Sequence, residues 1–235
     1  MYLKKLHINQ NRFPTTEFYP FNLKIFQNTR TIEFNTPVTF FAGENGSGKS
    51  TLLAAIARKQ NIHIWHEHDF RPLKHNKYAD LLHSCLQLDV KEELPGGFFS
   101  AQNFKQYAEL VDEWAKEDPG VLNYYGGESL ALRSHGQTNM QYFRNRFKIK
   151  GLYLLDEPEA ALSPRSQIEF SQIISEASAD GNAQFIVATH SPILMGMNNT
   201  TIYSFDMNPI AAIPYEETEY YKIYRDFLLK RGNMK

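Results

Sequence analysis

The sequence predicts an α/β fold with a parallel β-sheet core, an N-terminal antiparallel β layer and a helical subdomain. Three apolar runs predict the strands of the parallel core, at residues 38–42, 152–155 and 184–188. Each run is continuous rather than alternating, which is typical of strands that are covered on both faces of a sheet. The first two runs are each followed by a polar segment and then by a helical pattern, the order found in parallel α/β sheets.

The N-terminal residues predict the additional β layer. Residues 2–9 alternate apolar and polar side chains and are expected to form the first strand. Residues 11–20 form a polar and aromatic loop with two prolines, and residues 21–26 and 30–34 predict two further strands. The first 42 or so residues are therefore expected to be a small β-rich layer beside the main sheet.

A glycine-rich loop follows the first core strand. Residues 43–50 fit the pattern G-x-x-x-x-G-K-[ST], and a helical pattern continues from Thr51. Strand, glycine loop and helix in that order predict a phosphate-binding loop, with Lys49 at the β- and γ-phosphates and the Ser50 hydroxyl on Mg²⁺. The residues expected to cradle the phosphates are Gly43, Asn45, Gly46, Ser47, Gly48, Lys49, Ser50 and Thr51.

The middle of the chain, about residues 60–145, is predicted to be a mainly helical subdomain. Helical spacing of apolar residues occurs over residues 77–90 and again over residues 104–116. His63, His66 and His68 lie within six residues and raise the alternative of a metal site. No C-x-x-C or H-E-x-x-H spacing accompanies them, so a polar connector is the favoured interpretation.

The second core strand ends in two carboxylates, Asp156 and Glu157. A carboxylate at the end of a strand beside the phosphate-loop strand can hold Mg²⁺, and the next carboxylate can polarise an attacking water. The third core strand ends at His190, where a histidine is expected to face the γ-phosphate. A helix is predicted over residues 164–179, a strand over 201–205 and a closing amphipathic helix over 215–230, with apolar anchors at Tyr220, Tyr221, Tyr224, Phe227 and Leu228.

Composition sets limits on the class of protein. The 235 residues carry a net charge of -1, with 42% hydrophobic residues, 22% charged residues and a single cysteine, Cys85. These values are ordinary for a globular protein and leave no basic field for nucleic acid and no intrachain disulfide framework. No apolar run approaches the ~18 residues of a membrane span, and no signal peptide is found, so we expect a cytoplasmic protein.

These motifs resemble those of the ABC-type ATPases. Residues 43–50 resemble the Walker A motif of that family, Asp156–Glu157 its Walker B motif and His190 its switch histidine. Gln102 lies where the family places its Q-loop glutamine. Residues 134–137, Ser-His-Gly-Gln, lie at the position of the signature motif, although Arg133 and His135 depart from the family pattern.

The resemblance is greatest to one branch of the family. Residues 156–165 and 188–194 look less like a transporter subunit and more like the soluble AAA-family ATPases related to Rad50, SMC and OLD proteins. The chain has neither their long coiled coils nor a nuclease domain. It therefore resembles a stand-alone member of that group, with residues 1–235 as a single ABC-type ATPase domain: a β-rich layer, the helical subdomain and a RecA-like core.

The resemblance also implies a mechanism. ABC-type ATPases form head-to-tail dimers around two ATP molecules, so Ser134 and Gly136 would contact the nucleotide held by the second copy. It further implies that Glu157 is the general base, that His190 senses the γ-phosphate, and that Gln102 joins Ser50 and Asp156 at Mg²⁺. In relatives, the loop after the first strand covers the adenine, which here suggests Arg12 and Phe13.

Several functions stay open from the sequence. The favoured one is an ATPase whose dimerisation drives a partner protein or a nucleic-acid transaction of the DNA repair or defence type. The basic segment at residues 144–150 is a candidate contact for a phosphate backbone, or simply a solvated face. The alternatives are the nucleotide-binding subunit of a membrane transporter and a nucleotide switch with little turnover. A P-loop kinase is weaker, since kinases lack the combination of Glu157, His190 and a signature motif.

Overall fold

Two β-sheets organise the chain. The computed structural model describes residues 1–64, 76–91, 95–125, 127, 129, 135–179 and 181–232. The larger sheet has the spatial order β5 (Gly96–Ser100), β6 (Gly151–Asp156), β7 (Ala183–Ala188), β3 (Val38–Ala42), β8 (Thr200–Ser204) and β9 (Ala211–Ile213). The first five strands in this order pair in parallel with their neighbours, and the sixth, β9, runs antiparallel to β8. This is the parallel core that the continuous apolar runs predict.

The smaller sheet is antiparallel. It has the order β2 (Thr31–Glu33), β1 (Leu3–Ile8) and β4 (Leu86–Val90). The side chain of Gln184 on β7 joins this sheet to the larger one, because its amide oxygen accepts from the backbone N–H groups of Tyr2 and Leu3, each at 2.8 Å. The predicted antiparallel β layer is thus confirmed, although β4 comes from the middle of the chain.

The helices among the described residues flank the larger sheet or lie at its edges. They are α1 (Lys24–Asn28), α2 (Lys49–Lys59), α3 (Phe104–Glu117), α4 (His135–Arg146), α5 (Pro164–Ala179), α6 (Pro192–Met195) and α7 (Glu219–Gly232). Helix α5 spans the residues predicted for it, and α3 ends one residue beyond its prediction. Short 3₁₀ turns occur at residues 10–12, 81–85, 119–125 and 215–217.

Both faces of the parallel sheet are buried, which explains the continuous apolar runs. Neighbouring residues of one strand point to opposite faces. Phe41, Leu154 and Ile186 belong to the cluster under the antiparallel layer and α2. Their neighbours Phe40, Leu155 and Val187 belong to the cluster under α4 and α5. All six side chains are at most 1% exposed, so an alternating pattern would leave polar groups in one of the two cores.

The prediction of a strand over residues 21–26 is wrong, because α1 occupies part of this segment. The alternation of Phe, Leu and Ile in this segment mimics a strand. In the structure, the side-chain ends of Leu23, Ile25 and Phe26 all lie within 3.3 Å of the point where a β-carbon on Gly48 would stand. Successive residues of a strand alternate between faces, whereas a helical turn can gather three near neighbours at one place.

The prediction of a helix over residues 77–90 is also wrong. A 3₁₀ turn at Leu81–Cys85 leads directly into β4, which pairs with β1. Leu86, Leu88 and Val90 alternate with Gln87 and Asp89, a period of two within the apparent helical spacing. Two strands, β4 and β5, therefore lie inside the range expected to be mainly helical, and the described α-helices of that range begin at Phe104. The division at residues 42, 60 and 145 stays a prediction.

The closing helix is confirmed as α7, but most of its predicted anchors are wrong. Tyr220 and Tyr221 are half-buried at its first turn. Tyr224, Phe227 and Leu228 are 55 to 63% exposed, and Ile223 and Leu229 are 54% and 60% exposed. The helix is therefore held at its N-terminal end and exposes five large apolar side chains, interspersed with charged ones, along the rest of its length.

Candidate functional site

The candidate site lies where three parallel strands end together. The register aligns Phe41 of β3 with Ala188 of β7, and Ala188 with Asp156 of β6. Polar segments follow each of these strand ends: the glycine loop after β3, Glu157 after β6 and His190 after β7. In open α/β sheets, the carboxyl edge of the strands is where ligands bind.

The glycine loop is shaped by the residues packed beneath it. Gly48 has a φ of +101°, and a β-carbon there would lie 3.0 Å from the ring of Phe26 and 3.1 Å from Leu23. Only glycine meets both constraints without strain. Helix α2 begins at the next residue, so the unpaired N–H groups of its first turn are directed at the loop. This arrangement favours an anion such as a phosphate group.

Two polar side chains inside the loop also fit a phosphate ligand. Lys49 is 4% exposed, and its ammonium group donates to the carbonyl oxygens of Gly43 at 2.5 Å and Glu44 at 2.9 Å. Burial lowers the pKa of Lys49, opposed by nearby carboxylates of which Glu157 contributes most. The Ser47 hydroxyl is buried and has no hydrogen-bond partner among the described residues.

Ser50 and Asp156 form the candidate Mg²⁺ site. The Ser50 hydroxyl donates to Asp156 Oδ1 at 2.8 Å. The expectation that the Asp156 strand lies beside the phosphate-loop strand is wrong, because β7 separates β6 from β3. The carboxylate still reaches the loop because α2 carries Ser50 across the end of β7.

The chemistry of this pair fits a divalent cation. Hydroxyl and carboxylate oxygens are the ligands that Mg²⁺ prefers in proteins. Burial raises the pKa of Asp156 to about 6, partly offset by the hydrogen bond from Ser50. A bound cation would stabilise the ionised form of this carboxylate. Gln102 is exposed and lies two residues beyond Ser100, which pairs in register with Asp156, so it lies at the same edge of the sheet.

Glu157 and His190 face each other across the ends of β6 and β7. Glu157 Oε1 lies 3.3 Å from His190 Nε2, and this ring nitrogen has no hydrogen bond to any described residue. The backbone of Glu157 is left-handed, with a φ of +49°, and its N–H donates to the Ala188 carbonyl at 2.9 Å. A left-handed conformation is costly for a residue with a β-carbon, and such strain is concentrated at functional sites.

Three further residues at this edge were missed by sequence reasoning. Asp206 Oδ1 accepts from the backbone N–H of Glu44 at 2.8 Å, and Glu159 Oε1 accepts from that of His190 at 2.8 Å. Burial raises the pKa of Glu159. Tyr220 bonds through its hydroxyl to His190 Nδ1 and to the Gly43 carbonyl. Asp206 lies just beyond the end of β8, as Glu157 lies just beyond the end of β6, so the sequence carries a signal for Asp206. Nothing local distinguishes Tyr220.

The contacts described for the two residues suggested for the adenine, Arg12 and Phe13, are with residues outside the glycine loop. The ring of Phe13 is 4.8 Å from that of Phe21 and packs against the core, and Arg12 ends a 3₁₀ turn. In the same loop, the exposed Tyr19 bonds through its hydroxyl to the Thr51 hydroxyl at the start of α2. Tyr19 is therefore the aromatic residue of this loop with a described contact to the phosphate-binding region.

Other sequence-predicted sites are only partly described. Ser134 lies outside the described residues, whereas α4 begins at His135 and holds Gly136 in its first turn, as expected for a signature that opens a helix. His66 and His68 also lie outside the described part. Within that part, no group of three or more histidine, cysteine, aspartate or glutamate side chains is arranged to hold a metal ion.

The basic segment at residues 144–150 makes structural contacts. Arg144 pairs with Glu169, and Arg146 donates to the Gly96 carbonyl at 3.0 Å while lying over the ring of Tyr153. Phe147 is 3% exposed and belongs to the core. The aromatic residue of this segment is thus not accessible to a nucleic-acid base.

Comparisons with known proteins agree with this geometry. Residues 21–58 match a family model described as "AAA domain". Residues 134–196 match a model described as "AAA domain, putative AbiEii toxin, Type IV TA system". The first match contains the glycine loop, and the second contains Asp156, Glu157 and His190.

Sequence and structural relatives point to the same fold. The chain is 28% identical over 159 residues to the thiamine import ATP-binding protein ThiQ of Cereibacter sphaeroides, covering 64% of this chain and 69% of that protein. It superposes on an SMC head bound to the C-winged helix domain of ScpA with a TM-score of 0.57, at 14% identity over 92% of this chain and 99% of that one.

A third relative is a nucleotide-free ATP-binding cassette from an ABC transporter. Its TM-score is 0.53, at 15% identity over 90% of this chain and 91% of that one. At these identities the structural likeness establishes the fold. Within the described residues, no helix is both long enough and apolar enough to cross a membrane.

Proposed function

We propose that the chain is an ABC-type ATPase that binds ATP with Mg²⁺ and hydrolyses it, which the matches of residues 21–58 and 134–196 to AAA domain models support. The main support for this proposal is that two pairs of side chains meet at one edge of the sheet. Ser50 and Asp156 are 2.8 Å apart beside the phosphate loop, and Glu157 and His190 are 3.3 Å apart next to them. The first pair suits phosphate-bound Mg²⁺, and the second suits a water attacking the γ-phosphate.

Each residue has a distinct role in the proposed reaction. Lys49 and the N–H groups at the start of α2 bind the phosphates and neutralise charge. Glu157 accepts a proton from the attacking water, and His190 donates from Nε2 to the γ-phosphate. Positioning and charge neutralisation supply most of the catalysis in phosphoryl transfer, so a pre-formed arrangement of this kind is what the reaction requires.

Ser50 and Asp156 are the residues that would hold Mg²⁺, and we propose that Gln102 joins them. When bound, Mg²⁺ supplies neutralisation of the β- and γ-phosphate charge. The donor set supports this assignment, since it offers a hydroxyl and a half-buried carboxylate with an elevated pKa. For the adenine, the contact between Tyr19 and Thr51 supports the exposed aromatic Tyr19 in addition to Arg12 and Phe13.

We propose that two copies of the chain close around two ATP molecules. Gly136 lies in the first turn of α4, and a helix N-terminus is suited to a phosphate presented by a second copy. Ser134 would act beside it. The energy of this cycle would act on a partner protein in the cytoplasm, and the exposed apolar side chains of α7 support such a partner. The structural contacts of residues 144–150 give less support to nucleic acid.

A transporter subunit is the second candidate function. The match to ThiQ, whose name describes thiamine import, favours it. This function needs a membrane protein as partner, so purification from detergent-solubilised membranes discriminates the two. Co-purification with a protein that spans the membrane supports the transporter. A switch with little turnover is discriminated by its rate, because it binds ATP and releases almost no phosphate.

The test of the proposed function is phosphate release from ATP by the purified chain, with Mg²⁺ and with a chelator. We expect turnover that depends on Mg²⁺. Glu157→Gln, with the exposed Glu176→Gln as a matched control, is then sized by light scattering in ATP and Mg²⁺. Twice the mass of the chain is expected for Glu157→Gln. A persistent monomer contradicts the dimer, and absence of turnover in the wild type contradicts the ATPase.

A further inference from the structure

The C-terminal helix places one hydroxyl between the phosphate loop and the switch histidine. Tyr220, in the first turn of α7, bonds to His190 Nδ1, and its ring packs edge-on against the imidazole with centroids 5.2 Å apart. The same hydroxyl lies 3.3 Å from the carbonyl oxygen of Gly43. The opposite ring nitrogen of His190, Nε2, faces Glu157 Oε1 at 3.3 Å.

We propose that Tyr220 is a positioning residue of the ATP site: whenever the His190 ring is neutral, Tyr220 holds it in the tautomer that carries its proton on Nε2. The expected effect on ATP hydrolysis rests on the proposed function, because only Nε2–H can donate to a γ-phosphate. The contact between Tyr220 and His190, and the tautomer it favours, do not depend on that function. Tyr220 acts through His190 and touches neither the nucleotide nor the attacking water.

Counting protons at the three groups supports this tautomer. A tyrosine hydroxyl has one proton to donate, a neutral imidazole has one N–H, and a carbonyl oxygen only accepts. If Tyr220 donates to Nδ1, then Nε2 carries the proton and directs it at the Glu157 side. If Tyr220 donates instead to Gly43, then Nδ1 carries the proton, and the Nε2 lone pair faces the carboxylate of Glu157. Of these two arrangements of the neutral ring, the second is repulsive, so the first is favoured.

The surroundings keep Tyr220 a donor. Burial and the nearby carboxylates of Glu44 and Asp206 raise the pKa of Tyr220 to about 12, so the hydroxyl stays protonated under ordinary conditions. The Gly43 carbonyl already accepts from the Lys49 ammonium at 2.5 Å. That oxygen therefore has less need of the tyrosine proton than Nδ1, which accepts from no other described residue.

The chain around Tyr220 is fixed on both sides of the site. Thr218 is 1% exposed, and its hydroxyl donates to the Tyr215 carbonyl at 2.7 Å and accepts from the N–H of Tyr221 at 3.3 Å. The Tyr215 hydroxyl donates to the Pro192 carbonyl at 2.9 Å, two residues beyond His190. These bonds connect the start of α7 to the segment that carries His190, so the direction of Tyr220 is set independently of the exposed end of the helix.

The test compares Tyr220→Phe with Tyr224→Phe, which makes the same chemical change at an exposed position of the same helix. For Tyr220→Phe we expect kcat to fall about tenfold, as for other residues that orient a functional histidine. The dissociation constant for ATP should change less than about twofold, because the phosphate loop is intact. Tyr224→Phe should match the wild type in both. Wild-type kcat in Tyr220→Phe overturns the proposal.

A second readout does not depend on turnover. ¹⁵N spectra of histidine-labelled protein near pH 9, where histidines are generally neutral, report the tautomer of each ring. The His190 signal is assigned by its loss in His190→Gln. We expect the Nε2–H tautomer in the wild type and a mixture in Tyr220→Phe; the Nδ1–H tautomer in the wild type overturns the proposal. This spectrum stands even if the chain hydrolyses no ATP, so it separates failure of the proposal from failure of the proposed function.

Discussion

The phosphate loop and the corner formed by Glu157, His190 and Tyr220 are built in opposite ways. The loop is one continuous stretch of chain, and three of its own polar side chains, Ser47, Lys49 and Ser50, lie within four consecutive residues. The corner combines side chains that lie 33 and 30 residues apart in sequence, from the ends of β6 and β7 and the start of α7. We infer that nucleotide binding depends mainly on local sequence, whereas hydrolysis depends on the packing of distant elements.

Removal of the loop cation is the change with the largest expected effect on the binding region. Lys49→Ala removes a buried ammonium group among the loop carbonyls, and ATP affinity is expected to fall on the order of a hundredfold, as for loss of a charged contact of about 3 kcal/mol. Titration calorimetry measures it. The control is Lys59→Ala, at the exposed end of the same helix. Unchanged affinity in Lys49→Ala would remove this residue from the site.

Asp156 links the two regions. When no cation is present, its charged carboxylate is expected to lower the free energy of unfolding. Its pKa is raised to about 6 in the folded chain, so the folded state loses stability as the pH rises from about 4 through about 6. Asp156→Asn keeps an acceptor for Ser50 but removes the half-buried charge. In a chelating buffer near pH 7.5 we expect it to be more stable than the wild type by on the order of 2 kcal/mol.

Urea denaturation of the wild type and Asp156→Asn measures which of the two has the larger free energy of unfolding. The difference in the free energy of unfolding should shrink as the pH is lowered toward about 4.5, where the wild-type carboxyl is protonated. A difference that does not change with pH would show that the charge of Asp156 is not its source.

The smallest expected effect concerns the strained backbone of the corner. Glu157 has a φ of +49°, which glycine adopts freely and alanine does not. Glu157→Gly should therefore be more stable than Glu157→Ala by about 1 kcal/mol, although glycine ordinarily destabilises relative to alanine. Thermal unfolding of the two variants measures the difference. The reverse order would mean that the left-handed backbone at this position is not costly.

The contrast between the regions also explains what the sequence could predict. The loop was predictable because Gly43, Gly48, Lys49 and Ser50 satisfy fixed spacing within one stretch, and the parallel strands were predictable because both of their faces are buried. Asp156, Glu157 and His190 could be recognised because strand ends meet at one edge of a parallel sheet. The position of β7 between β6 and β3 could not be predicted, since strand order is not contained in any local pattern.

Other features depended on long-range packing. Residues 21–26 alternate apolar and polar side chains as a strand does. Three of them, Leu23, Ile25 and Phe26, nevertheless converge on Gly48 around a helical turn. Residues 86–90 carry a strand pattern inside a helical one, and only their pairing with β1 decides between the two. From the sequence alone, Tyr220 is predicted to be one more apolar anchor of an amphipathic helix. Its role depends on contacts with Gly43 and His190, which no spacing along the chain encodes.

The measurement that most directly tests the separation of binding from hydrolysis is ATP binding and phosphate release by Glu157→Gln in the presence of Mg²⁺. This variant keeps the phosphate loop and removes the proposed base. We expect an ATP dissociation constant within about threefold of the wild type, with turnover reduced on the order of a thousandfold. Wild-type turnover, or a loss of affinity as large as the loss of rate, would contradict it.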